Sequence, residues 1–70
     1  MEELDLHGLF HIDVPLELLN FLFLNHHKLP VKIITGRSTK MKEIVIDILN
    51  KNGYHYDVPA HNFGEIIVLY

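Results

Sequence analysis

Residues 31–53 read VKIITGRSTKMKEIVIDILNKNG, and the change of period inside this stretch decides the architecture. Residues 31–35 form a β-branched run opened by Pro30 and closed by Gly36, the composition of a strand feeding a tight turn. Beyond the turn the spacing lengthens. Met41, Ile44, Val45, Ile48 and Leu49 fall at i, i+3, i+4, i+7 and i+8, which is one face of a helix. Ser38 or Thr39 can cap its start, and Gly53 suits the left-handed position that ends it, so a helix over 39–52 is predicted.

Toward the N-terminus, Leu4, Asp5, Leu6 and His7 alternate apolar and polar until Gly8, as a half-buried strand does. Leu4 and Leu6 then share one face, and Asp5 and His7 the other. Asp13 is placed to cap a second helix with Pro15 in its first turn, over residues 14–27. That helix is apolar on nearly all sides. Leu16, Leu19 and Phe23 make one stripe, widened by Leu18, Phe21 and Leu22, so part of it is expected to face a partner, with self-association through this first helix as one outcome. Toward the C-terminus, residues 54–58 and 65–69 read as strands joined by a six-residue connection that fits an antiparallel hairpin.

The order is βαβαββ. Right-handed crossovers make the first three strands parallel, and two helices can cover one face of the sheet. The expectation is an α/β two-layer sandwich in which a four-stranded mixed sheet carries both helices on one face. The other face would be open, holding Asp5, His7 and Lys32, with His55 and Asp57 beside them if Tyr54 and Tyr56 point inward. No repeat, linker or low-complexity tract divides residues 1–70, which are read as a single domain.

Composition narrows the function. The net charge is −3, yet all six cations lie between residues 28 and 51, where only Glu43 and Asp47 oppose them. Such a cluster is either a solvated helix face or the footprint of a polyanion. The absence of cysteine removes disulfides and thiolate zinc sites, and a chain of this size buries only about 60% of the surface it exposes when unfolded. An acidic start (Glu2, Glu3, Asp5) and a longest apolar run, 18–24, interrupted by Asn20 predict a cytoplasmic protein without a membrane partner. The six histidines lack the i, i+4 helical spacing of a metal site, so no metal and no cofactor are predicted.

Leu4-Asp5-Leu6-His7-Gly8 resembles the LDLHG motif that opens Smr (small MutS-related) domains, and Ile34-Thr35-Gly36-Arg37-Ser38 resembles their TGxG or HGxG loop. The two stand in the family's order, followed by a helix, a Gly-Tyr turn and Asn62-x-Gly64 before a terminal hydrophobic strand. The resemblance spans essentially the whole chain. It implies a fold similar to the C-terminal domain of translation initiation factor three, and binding of RNA or DNA. It also implies endonuclease activity that needs no metal, since the family includes DNA-nicking and RNA-cleaving members. Two departures from the pattern bear on catalysis: Ser38 replaces the loop's second glycine, and the segment before the second helix is short. Ser38 enters positive φ less freely than glycine, so the loop should take a different turn or start its helix earlier.

Each candidate residue has a structural alternative. Asp5 and His7 could exchange protons with substrate, because imidazole as a side chain works near neutral pH, or could simply tie down the following loop. Gly8, Thr35, Gly36, Arg37, Ser38, Lys40 and Lys42 could hold phosphate, with the dipole of the following helix adding to the charge, or form an ordinary capped strand-to-helix turn. Tyr54, Tyr56, Phe63 and Tyr70 could stack on unpaired bases or fill the core. The competing function is a non-catalytic protein–protein interaction or dimerisation module built on the first helix.

Overall fold

The computed structural model describes residues 1–61 and 63–70. Along the chain run β1 (Glu3–Asp5), a 3₁₀ turn (His11–Asp13), α1 (Val14–Asn25), a second 3₁₀ turn (His26–Lys28), β2 (Val31–Ile34), α2 (Thr39–Lys51), β3 (Tyr56–Asp57) and β4 (Glu65–Val68). The βαβαββ order is therefore observed, with strands shorter than the runs of apolar residues that encode them.

The sheet order is β1-β2-β4-β3. β1 lies parallel to β2, while β4 runs antiparallel to both β2 and β3, so the first three strands share a direction and the last is inserted among them. One row of side chains, Leu4, Ile33 and Ile66, crosses the sheet on its inner face, where Leu6, Val31 and Val68 are also buried. Val14, Leu18 and Leu22 of α1 and Met41, Val45 and Leu49 of α2 close over them in one core. Both helices thus cover the same face.

α2 presents the predicted apolar face, with Ile44 and Ile48 half-buried at its margins. Ser38 caps it, its hydroxyl accepting from the Met41 N–H at 3.0 Å, and Gly53 follows its end at φ +76°. In α1, where the sequence is apolar on nearly all sides, Leu16, Leu19 and Phe23 are exposed, and the buried stripe is Val14, Leu18 and Leu22 at i, i+4, i+8. The helix has apolar residues in both directions, and packing in the common core with α2 and the sheet buries the face of Val14, Leu18 and Leu22. Asp13 occupies the cap position without a side-chain bond to the helix.

On the open face two rows run across the sheet, Glu3–Lys32–Ile67–Asp57 and Asp5–Ile34–Glu65. Tyr54 and Tyr56 pack against the core, leaving Asp57 outward as expected. Four carboxylates and one ammonium make this face acidic. Lys32 is held between Glu65 at 3.5 Å and Glu3 at 3.9 Å. Among the described residues, no helix is long and apolar enough to cross a membrane.

Candidate nucleic-acid interface

Parallel pairing of β1 and β2 ends both strands on the same edge, so the two sequence motifs meet there. The Leu6 N–H donates to the Ile34 carbonyl at 2.8 Å, carrying the pairing one residue past β1. A turn follows, closed by the Leu9 N–H on the Leu6 carbonyl at 3.0 Å, with Gly8 at φ +83°. This turn sends the His7 side chain over the second motif. A Cβ placed on Gly36, at φ +67°, would lie 3.4 Å from His7 Cδ2.

Asp5 and His7 are adjacent, and their geometry is specific. Asp5 Oδ1 accepts the His7 backbone N–H at 3.0 Å, while the same oxygen stands 3.9 Å from His7 Nδ1. The first is a hydrogen bond; the second is too long for one and leaves a loose ion-pair contact. Asp5 therefore fixes the turn that aims His7, and both side chains remain well exposed, at 60% and 74%.

The second motif divides into a buried half and an open half. Thr35 is buried, its hydroxyl donating to the Gly36 carbonyl, and the N–H groups of Thr35 and Gly36 both donate to the Gly64 carbonyl at 2.7 and 3.1 Å. These amides are spent on the fold, and phosphate would meet the residues that follow Gly36. Arg37, Ser38 and Lys40 are exposed, and Lys42 is half-buried on the first turn of α2. Among the described residues, no carboxylate stands in ion-pair reach of Arg37, Lys40 or Lys42, whereas Lys51 is paired to Asp47 at 3.0 Å and Lys32 to two glutamates. Among the described residues the cations paired to carboxylates are thus Lys32 and Lys51, while three unpaired cations gather at the turn and Lys28 stands apart past the end of α1.

The bonds to Gly64 also draw in a residue from the other end of the chain. Phe63 is 69% exposed, and Lys42 Nζ lies 5.7 Å from its ring centroid, a cation–π contact. Sequence reasoning placed Phe63 among four aromatic candidates; exposure separates it and Tyr70 from Tyr54 and Tyr56, which pack on the core. Tyr70 stacks on His55 at 4.5 Å, on the far side of the sheet. Asn62, part of the quoted motif, lies outside the described residues. Among the described residues, no three histidine or acidic side chains converge as a metal site. No family model, curated protein or solved structure matches this chain.

Proposed function

We propose that this chain is a nucleic-acid-binding domain of the Smr type, working in the cytoplasm, that grips phosphates through Arg37, Lys40 and Lys42 and offers Phe63 to an unpaired base. The observation that carries the reading is the cation–aromatic pair of Lys42 and Phe63 beside unpaired cations, at the edge where His7 meets Gly36. Cations hold the backbone without reading sequence, and an exposed ring accepts any base. The acidic open face repels phosphate and confines the ligand to this edge. Single-stranded or looped RNA or DNA fits better than a smooth duplex, because the ring needs an unstacked base.

The same reading assigns His7 the proton transfers of a metal-independent phosphodiester cleavage, with Asp5 setting its orientation through the turn. Replacing Arg37, Lys40 and Lys42 together by glutamine should weaken binding to a single-stranded oligonucleotide. It should also flatten log K against log salt by about 0.7 to 0.9 per lost phosphate contact. Phe63→Ala should weaken binding at every salt concentration without changing that slope, at about 1 to 3 kcal/mol per stacked base. An unchanged slope in the triple variant would end the proposal. The second reading, an interaction module that neither binds nor cuts nucleic acid, is favoured by the exposed apolar side of α1.

A further inference from the structure

The outer side of α1 carries Leu16, Leu19 and Phe23 at a 3-4 spacing, the spacing of a seam along which two helices interlock, and Ile12, in the 3₁₀ turn just before the helix, lies four residues ahead of Leu16. With Phe10 and Leu24 they are between 40 and 87% exposed. That leaves on the order of 700 Å² of apolar surface, taking about 150 to 250 Å² for a large side chain. A soluble monomer's largest patch is about 300 to 600 Å², and a standard interface takes about 800 Å² from each partner. The patch has the size of half an interface.

Its two ends are complementary to each other. At the N-terminal end Phe10 and Ile12 protrude, Ile12 being the most exposed at 87%. At the C-terminal end a groove of about 670 Å³ opens between α1 and the residues that follow α2, its apolar wall made by Leu19, Phe23, Leu24 and Tyr54 and the remainder by asparagine and histidine side chains. Charge follows the same polarity: Asp13 and Glu17 stand at the start of α1, and Lys28 just past its end. A shape with a knob at one end and a groove at the other, acidic at the first and basic at the second, is matched by its own copy turned through a two-fold axis. We infer that the chain forms a symmetric homodimer through antiparallel packing of the outer faces of α1. Leu19 lies near the axis, Leu16 sits against the partner's Phe23, and Ile12 enters the partner's groove. Opposed helix dipoles and the meeting of Asp13 with the partner's Lys28 favour this direction over the parallel one. The inference is independent of the nucleic-acid reading, since the site at His7 and Gly36 takes no part in it.

Sedimentation of the intact chain over a wide concentration range is the first test, and a monomer–dimer equilibrium is expected. Ile12→Asp and Phe23→Asp should each weaken dimerisation by about tenfold or more while leaving the far-UV circular dichroism unchanged, because both positions are exposed in the monomer. Lys28→Glu alone should weaken it about two- to fivefold at low salt, and adding Asp13→Lys should restore it. Direction is read by oxidation, the chain having no cysteine of its own. Ile12→Cys mixed with His27→Cys should cross-link to each other more readily than either does to itself. A monomer at every concentration, a dimer indifferent to Ile12→Asp and Phe23→Asp, or preferential cross-linking of Ile12→Cys to itself would each overturn the inference.

Discussion

A methyl group at position 36 would meet the His7 ring at 3.4 Å, an ordinary van der Waals contact, from a backbone held at φ +67°, so Gly36→Ala is opposed by conformation. Gly8→Ala, at φ +83° with nothing within 4 Å of its Cβ position, meets the same opposition. Each forced left-handed residue costs about 1 to 3 kcal/mol, and the two variants should lose similar amounts. Thermal melting of both decides the point, a clearly larger loss for Gly36→Ala meaning that the His7 ring resists the added methyl. Ser38→Ala removes the cap on Met41 and should cost about 1 kcal/mol in the same assay. For cleavage, His7→Ala and Asp5→Asn are each expected to reduce the rate at least about tenfold with binding retained. Asp5 also accepts the His7 amide, so a parallel melting curve is needed; activity lost in step with stability would assign Asp5 to the fold alone. These residues were legible because short motifs fix them locally. The meeting of Lys42 with Phe63 was not legible, since no period links positions so far apart and the Gly64 carbonyl that joins them is a backbone group.

The two helices show what periodicity can and cannot decide. In α2 the charged residues Lys42, Glu43, Asp47 and Lys51 leave one apolar face, and burial of Met41, Val45 and Leu49 follows it. In α1 leucine or phenylalanine occupies positions in both directions, so the pattern names no face and tertiary packing makes the choice. The outcome is measurable. Leu18→Ala, emptying a fully buried site, should cost about 2 to 5 kcal/mol, while Leu16→Ala, at the exposed seam, should leave the monomer's stability within about 0.5 kcal/mol. Chemical denaturation of both at a concentration where the chain is monomeric makes the comparison, and similar losses would place Leu16 in the core. Sheet composition was legible at its edges and not at its centre: the pairing of β3 with β4 follows from a short connection, but the placement of β4 against β2 follows from which inner faces fit.

Taken whole, the molecule is a small dipole of chemistry, cationic at the turn before α2 and acidic over the open sheet. Its net charge of −3 conceals this, and the clustering of cations in one segment revealed only half of it, because strand register decides that Glu3, Asp5, Asp57 and Glu65 face outward together. Neutralising Glu3 and Glu65 with glutamine should therefore strengthen oligonucleotide binding at low salt and lose that advantage as salt rises. Titrations at two ionic strengths check this, and weaker binding in the variant would place the ligand on the sheet. The position of β4 has one more consequence, for a protein emerging from the ribosome. Synthesis delivers β1, β2 and β3 first, yet none of them can complete the sheet, since the strand that separates β2 from β3 is made last. Until it arrives the nascent chain carries an unpaired edge on β2 beside a bare apolar surface, the kind of surface that chaperones hold and that other chains join. Closure is then a single late event, and a polypeptide released before residue 65 would be missing the middle of its sheet.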